Sequence, residues 1–153
     1  MSAWLTQEKI IFFSVSGLEG SFTAPVVEIP RRPTPNAAEL ERLKGEGKEF
    51  EDYEYAKLTT AAAAIIDKRW KGKPPLSVGP DGEPACLDVG SKPLAKTACR
   101  PKGATEVILV VDATIPYHVI ISTMDALRQN SDKTIVYPDV VLFPDVIFGT
   151  GIK

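Results

Sequence analysis

The stretch TEVILVVDATIPYHVIISTMDALRQN, residues 105–130, decides the fold. It opens with a continuous apolar run at residues 107–111, which is typical of a strand buried on both faces. A short turn follows, and Pro116 suits the first turn of a helix, where its missing N–H costs nothing. The turn holds no glycine, although a nucleotide-binding strand–helix unit needs glycines at this point. The stretch therefore predicts a strand and a helix that do not form a nucleotide site.

Helical spacing of apolar residues identifies two main helices. The first is predicted at residues 53–70, with small and apolar residues on one stripe. That stripe holds Leu58, Ala61, Ala62, Ile65 and Trp70. The second follows Pro116, and its predicted buried stripe holds Tyr117, Ile120, Ile121, Met124 and Leu127. Its predicted outer side holds His118, Ser122, Asp125 and Arg128.

Strand patterns flank these helices. Residues 8–16 alternate in the manner of a strand, and residues 17–20 are glycine-bounded turn chemistry. The following β-rich arm carries Pro25, which cannot donate to a ladder and so predicts an edge strand. Residues 134–151 predict one or two short closing strands, interrupted by Pro138 and Pro144 and stopped by Gly149 and Gly151.

Two segments lack the periodicity of regular elements. Residues 30–52 are predicted to be an extended linker with a short helix at 37–44. Residues 71–103 are rich in Pro and Gly and predict a long excursion between the first main helix and the next strand. The element order is ββαβαβ in a single domain of 153 residues. This predicts an α/β (α+β) two-layer sandwich, with the two main helices on one face of a small mixed sheet.

Composition excludes several classes of function. The formal net charge of −2 and the pI near 5.5 give no global reason to bind nucleic acid. The longest apolar runs fall far short of the roughly 20 residues that span a bilayer, so the chain as written is expected to be soluble. No pattern predicts a cofactor. The carboxylates of residues 46–54 are expected to form a solvated run before the first main helix.

Candidate reactive residues are few. His118 is the only histidine; it is either a catalytic base or a solvated or capping residue, and the sequence names neither a nucleophile nor an orienting carboxylate for it. Asp112 and Asp125 are each either catalytic or surface and capping residues. The chain is therefore expected not to be an enzyme. The basic residues after the first main helix form either a modest anion-binding patch or a solvated helix end. They are Lys68, Arg69, Lys71 and Lys73.

The two cysteines, Cys86 and Cys99, have no CxxC spacing and no adjacent histidine, so no standard zinc set is present. A disulfide between them would close a loop of roughly fifteen residues and contribute about 3 kcal/mol by restricting the unfolded chain. Two reduced thiols in a cytosolic protein are the alternative. The residues leave both states open.

Several segments together resemble one family. VILVVDATIPYHVIISTMDALR resembles the periplasmic domain of ExbD/TolR biopolymer-transport proteins, in which an apolar strand ends near an acidic residue and a helix begins with tyrosine and later carries Met-Asp. The matching positions are Asp112, Tyr117, Met124 and Asp125. LFPDVIFG, with Phe143 and Asp145, resembles the closing strand of a subgroup, and IIFFSVSGLEGSFTAP resembles the first hairpin. The resemblance covers most of the chain outside residues 71–103.

The resemblance implies a non-enzymatic, homodimeric component of a proton-motive-force-coupled motor. Its expected partners are an ExbB-, TolQ- or MotA-like channel protein and a TonB- or TolA-like protein or peptidoglycan. It places the domain in the periplasm, with the full-length protein anchored in the inner membrane, and there a bridge between Cys86 and Cys99 is favoured. The membrane helix of the family, with its proton-carrying aspartate, has no counterpart within residues 1–153. The chain is thus expected to be a periplasmic fragment, or else a soluble relative that cannot couple protons itself.

Two other functions compete with this hypothesis. One is a cytoplasmic small-ligand or peptide-binding module that uses the crevice at the end of the 107–111 strand, near Asp112 and Tyr117. The other is a small hydrolase that uses His118.

Overall fold

The computed structural model describes residues 1–70, 73, 77–78, 84–86, 94–100, 106–128, 143 and 145–149. The strands in these ranges are β1 (Ser2–Leu5), β2 (Lys9–Phe13), β3 (Val27–Pro30), β4 (Ser77–Val78), β5 (Pro84–Ala85), β6 (Glu106–Val111) and β7 (Asp145–Gly149). The α-helices are α1 (Ala37–Gly45), α2 (Tyr55–Trp70) and α3 (Tyr117–Arg128).

Five strands form one mixed sheet in the order β3-β2-β1-β6-β7. The pairs β1–β2 and β2–β3 are antiparallel, whereas β1–β6 and β6–β7 are parallel. Helices α2 and α3 pack together on one face of this sheet. The predicted α+β class, with a mixed sheet and this broad element order, is confirmed. The predictions of a helix at 37–44 and of an edge strand after Pro25 are also confirmed, by α1 and β3.

The sequence prediction missed β1. This strand of four residues, SAWL, lies in the middle of the sheet, between β2 and β6. The 107–111 strand, now β6, is therefore next to the centre. Four residues are too few for a period-2 signal to stand out, and β1 is stabilised instead by ladders on both of its sides.

The register separates the two faces of the sheet. The face toward the helices is covered over most of the sheet, and its buried side chains include Ala3, Leu5, Ile10, Phe12, Ile29, Val107 and Leu109. The opposite face, hereafter the outer face, presents Trp4, Ile11, Phe13, Ile108, Val110 and Ile147. The prediction that residues 107–111 are buried on both faces is wrong. Both helices lie on the inner side of the sheet, and Ile108 on the other side is 39% exposed.

The predicted buried stripe of α3 is also wrong in part. Its buried residues are Val119, Thr123, Ala126 and Leu127. Tyr117, which the stripe included, is 76% exposed. The helix is rotated because α3 lies so close to α2 that the Thr59 hydroxyl donates to the Ala126 carbonyl, 2.9 Å away. Small side chains permit this approach, and a search for large apolar residues overlooks them.

Tertiary partners also cap the end of α3. The last carbonyls of a helix have no partner within the helix. The Thr59 hydroxyl bonds the carbonyl of Ala126, and the backbone N–H of Phe143 donates to that of Leu127 at 3.2 Å. Groups from distant parts of the chain thus satisfy two carbonyls in the last described turn of α3.

The loop at residues 14–26 contacts both faces of the sheet at one end. On the outer face, the Phe22 ring lies 4.8 Å from the Trp4 ring, measured between centroids. On the helix side, Glu19 forms a partly buried ion pair with Arg69 near the end of α2. Gly20 sits between them with φ of 78°, and a Cβ there would come within 2.8 Å of the Ala24 carbonyl oxygen. Only glycine fits this turn without strain.

Candidate functional site

The carboxylate of Asp52 joins three segments that are distant in sequence. Its Oδ1 accepts hydrogen bonds from Arg31, with Nη2 at 2.8 Å and Nε at 3.3 Å. Its Oδ2 lies 3.3 Å from Nε2 of His118, at the start of α3. Asp52 was expected to be one of several solvated carboxylates, but its side chain is largely covered and paired. No orienting carboxylate for His118 was apparent in the sequence. The fold places the Asp52 carboxylate beside it, from 66 residues away.

Residues 33–51 form an excursion whose two ends meet. The backbone N–H of Arg32 donates to the Asp52 carbonyl at 2.7 Å, and Arg32 also lies 4.0 Å from the Glu51 carboxylate. Complementary charges therefore meet where the segment closes, with Arg31 and Arg32 before it, Glu51 as its last residue and Asp52 directly after it. That charge pattern is a sequence signal that could have paired the two ends.

Helix α1 lies within this excursion and has no buried residue. The Asn36 side chain caps its first turn by accepting from the Glu39 N–H at 2.9 Å. An exposed ion pair between Arg42 and Glu46 adds little, because solvent screens it. A helix of nine residues gains most of its stability from packing, which α1 lacks here. It is held mainly by its caps and by the closed ends of the excursion.

A cleft of about 630 Å³ lies between the excursion and the first turns of α2 and α3. His118 and Ser122 form one wall, and Tyr55 forms another. Burial, reinforced by the Asp52 charge, raises the pKa of Tyr55 to about 12, so its hydroxyl remains protonated at neutral pH. The charged lining residues are Arg32, Lys48, Glu49, Glu51, Asp52 and Asp125. Arg31 and Arg32 already pair with two of these acids. The carboxylates of Glu49 and Asp125 leave the described lining with an excess of negative charge, which favours a ligand that carries positive charge.

The residues of the family resemblance do not converge on one site. Asp112 closes the turn before α3, where its Oδ1 accepts from the N–H and hydroxyl of Thr114 at 3.0 and 2.7 Å. These bonds lower the pKa of its carboxyl. Tyr117 points to solvent and Met124 packs against the core. Only Asp125 lines the cleft, which therefore lies beside the predicted crevice at Asp112 and Tyr117.

The closing strand uses its two family positions structurally. Phe143 is fully buried, with its ring edge-on to that of Phe12 at 6.2 Å. Asp145 begins β7, where its backbone is in register with Glu106 of β6. The part of the predicted closing strands at residues 134–142 lies outside the described residues.

The structure joins Cys86 and Cys99 in a disulfide, with their Cα atoms 6.3 Å apart. Both residues are buried, and the Leu94 N–H donates to the Cys86 carbonyl at 3.0 Å within the bridged segment. The bridge therefore brings the two described segments at residues 84–86 and 94–100 together. The strands β4 and β5 pair with each other just before it.

One residue of the predicted basic patch, Arg69, is engaged by an ion pair within the chain. Arg69 binds Glu19, and its guanidinium lies 5.4 Å from the centroid of the Trp70 ring. Lys68 and Lys73 are exposed, and Lys71 lies outside the described residues. An anion-binding role stays a prediction for the lysines alone.

The edges of the sheet are a second candidate surface. Among the described strands, β3 and β7 are outermost. β7 exposes an apolar side chain on each face, Ile147 at 46% and Phe148 at 58%. Edge strands in monomeric proteins are usually protected by charge, proline or a bulge. The described residues of β7 between its ends, Val146 to Phe148, carry none of these, which makes β7 suited to pairing with another chain.

Replacing residues 33–51 by two glycines is expected to leave the domain folded, with a loss in free energy of unfolding below about 1 kcal/mol. The reason is that α1 buries nothing and that Arg32 and Asp52 already lie together. Thermal and urea unfolding would measure this. A loss of several kcal/mol would contradict the exposed position of α1, and Leu58→Ala in the buried face of α2 provides the destabilised control.

Comparison with known proteins identifies no relative: no family model, curated protein or solved structure matches this chain. Among the described residues, no helix combines the length and apolar character needed to cross a membrane. The same residues contain no group of three or more His, Cys, Asp or Glu side chains arranged to hold a metal ion.

Proposed function

We propose that this chain is a non-enzymatic domain of a proton-motive-force-coupled motor of the ExbB/ExbD or TolQ/TolR type, and that it works by binding other protein chains. The observation that carries the proposal is β7, which is outermost among the described strands and whose two exposed apolar side chains are suited to strand addition. The resemblance of residues 107–128 and 142–149 to ExbD/TolR proteins supports the same assignment. In this role the domain acts in the periplasm as a homodimer, and the full-length protein is anchored in the inner membrane.

The proposed role requires a stiff domain, and the packing is consistent with that requirement. The sheet carries parallel and antiparallel ladders, and α2 and α3 are tied to each other by the Thr59 hydroxyl. A force applied at β7 is borne by the five residue pairs of the β6–β7 ladder. The proposed partners are an ExbB-, TolQ- or MotA-like channel and a TonB- or TolA-like protein or peptidoglycan.

A photo-crosslinking amino acid at position 148 tests this function in energised cells. We expect adducts with a second copy or with a motor component, and we expect their yield to fall when a protonophore collapses the proton-motive force. The same probe at Leu40, which is 46% exposed on α1, serves as the control. Adducts that ignore the protonophore, or that form only with cytoplasmic proteins, would contradict the proposal.

The cleft beside His118 favours a second candidate function, the binding of a small ligand or peptide. Its volume is within the range of ligand sites, and its acidic lining favours an amine or guanidinium group on the ligand. Excision of residues 33–51 removes one wall of the cleft and should abolish such binding while the domain stays folded.

A hydrolase that uses His118 is the weakest of the three functions. Asp52 orients the ring, but the nearby Ser122 hydroxyl donates to the backbone carbonyl of His118 at 3.0 Å and not to its imidazole. His118→Ala without loss of function would remove this candidate.

A further inference from the structure

The loop at residues 14–26 concentrates the exposed apolar side chains of the domain. Among the described residues nine large apolar side chains are exposed, and four of them fall within this one loop. They are Val15, Leu18, Phe22 and Val26. Exposed apolar side chains that cluster in this way mark a contact with another protein or with a membrane.

The two most exposed of these side chains lie at the end of a closed turn. The Ser14 N–H donates to the Glu19 carbonyl at 3.2 Å, so residues 15–18, hereafter the tip, project beyond the end of β2. Within the tip Val15 is 70% exposed and Leu18 is 76% exposed. The tip is therefore an apolar projection that needs no rearrangement to meet a partner.

The loop, which the structure describes in full, carries no unpaired charge. Glu19 is the one ionisable residue in it, and its carboxylate forms the ion pair with Arg69. The Glu19 side chain is only 11% exposed. Moving a charged group out of water is costly unless the group is paired. Here the pairing exists before any partner arrives, so the loop can leave bulk water without that cost.

The hydroxyl groups of the loop pair with one another. Those of Ser14 and Ser16 lie 2.8 Å apart, and those of Ser21 and Thr23 lie 3.2 Å apart. A protein interface typically carries about one direct hydrogen bond for each 100–200 Å². A loop whose hydroxyls already bond each other offers little to such an interface. It is better suited to lipid, which takes up apolar side chains without directional hydrogen bonds.

Lysines stand beside the loop. The ion pair between Glu19 and Arg69 holds the last turn of α2 against it. Lys68 in that turn and Lys73 just after it are exposed, and Asp67 is the exposed acid of the same turn. The described charge next to the loop is thus modestly positive, which favours anionic lipid headgroups over neutral ones.

Two further acids lie at this end of the sheet but at a greater distance. Glu106 and Asp145 begin β6 and β7, which are two and three strands away from β2. With strands about 4.8 Å apart, these positions are about 10 and 14 Å from β2. The Debye length is about 8 Å at physiological ionic strength, so salt screens most of their effect on a charge at the loop.

We infer that the 14–26 loop docks into the headgroup region of an anionic membrane. Val15 and Leu18 enter the boundary with the acyl chains, and Lys68 and Lys73 meet the lipid phosphates. Interfacial segments bury their apolar side chains about 5–10 Å into this boundary. The loop stops there, because irregular backbone exposed to lipid does not occur in the hydrocarbon core. This contact goes beyond the motor role and does not require it.

Flotation of the chain with lipid vesicles tests the membrane contact. The wild-type chain is expected to float with vesicles of equimolar phosphatidylglycerol and phosphatidylethanolamine, and to bind phosphatidylcholine vesicles more weakly. Val15→Ser together with Leu18→Ser should lower the partition coefficient about tenfold, because two apolar side chains no longer enter the interface. Leu18→Trp should bind at least as tightly as the wild type, since tryptophan favours the interface. Both positions are exposed, so these variants are expected to fold.

The role of charge is tested separately with Lys68→Gln and Lys73→Gln combined. This variant should bind the phosphatidylglycerol vesicles at least about threefold more weakly, and its binding to phosphatidylcholine vesicles should stay within about twofold of the wild type. Added salt should weaken wild-type binding to the anionic vesicles in the same way. Equal losses on both kinds of vesicle would contradict the contact of the lysines with lipid phosphates.

Tyr117→Ser provides the matched control. Tyr117 is as exposed as Leu18, at 76%, but it begins α3 at the opposite end of the sheet. This variant should keep the wild-type partition coefficient within about twofold. If it weakens binding as much as the tip variants do, or if the wild-type chain floats with neither vesicle, the membrane contact is overturned. A chain that does not float but forms protein adducts from a photo-crosslinker at position 18 uses the loop to bind protein, which overturns it too. The crosslinking test at position 148 decides the proposed function independently of these outcomes.

Discussion

Replacing Phe12 by Ala is expected to lower the free energy of unfolding by about 3–5 kcal/mol. Phe12 is fully buried on the helix-facing side of β2, and its ring meets Phe143 edge-on at 6.2 Å. The substitution removes apolar burial, leaves a cavity and breaks the aromatic pair, which by itself is worth about 0.5–1.5 kcal/mol. Since domains of this size are stable by only about 5–15 kcal/mol, the substitution should remove a large fraction of the total stability.

Urea unfolding of Phe12→Ala and Phe148→Ala would measure this effect. The control removes the same atoms from a side chain that is 58% exposed on β7 and should cost less than about 1 kcal/mol. Equal losses in the two variants would show that the helix-facing side of β2 is assigned wrongly. The pair therefore tests which face of the sheet holds the core.

Removing the Cys86–Cys99 disulfide is expected to cost about 3 kcal/mol in the chain-entropy model, given the sequence separation of 13 residues. In the unfolded state the bridge restricts the conformations of the chain between the two cysteines. In the folded chain both cysteines are buried. The variant Cys86→Ser with Cys99→Ser should unfold at lower temperature than the wild-type chain. Treating the wild-type chain with reductant should reproduce that loss, whereas the double variant should not respond to reductant.

Intact mass after alkylation provides the second readout. In protein exported to an oxidising compartment, both thiols should resist labelling until the chain is reduced. Free labelling of the folded protein would contradict the bridge and remove one support for a periplasmic location. If reduction makes both thiols available for labelling but leaves the unfolding temperature unchanged, the bridge does not contribute to stability.

Much of the fold could be predicted because its signals are local. The apolar run and proline before α3, the alanine-rich pattern of α2 and the glycine turn after β2 each specify an element within about 15 residues. The predictions that were wrong or missing concern features that depend on contacts between residues distant in sequence. β1 is too short to carry a pattern, and α3 is rotated by its close approach to α2 at Thr59 and Ala126. Both outcomes are decided by partners that lie far away in sequence.

The candidate site was less predictable than the fold. The sequence singled out His118, but its partner Asp52 was predicted to be one of several solvated carboxylates. The sequence does not show which of these carboxylates the fold brings close to His118. The paired charges at residues 31–32 and 51–52 were the available signal that the excursion closes on itself. The cleft that results is a product of this closure and could not be located from either segment alone.

The sequence by itself determined the α+β class, the identity of most helices and strands, and the largely apolar character of the strands, because each of these follows from composition and period. Only the tertiary structure decided which apolar face is covered. Two helices can cover one side of a five-stranded sheet, and nothing in the pattern of β6 distinguishes Leu109, which α2 and α3 enclose, from Ile108, which they leave exposed. The physical reason is that burial is a property of what packs against a residue, and the segment that packs there is specified elsewhere in the chain.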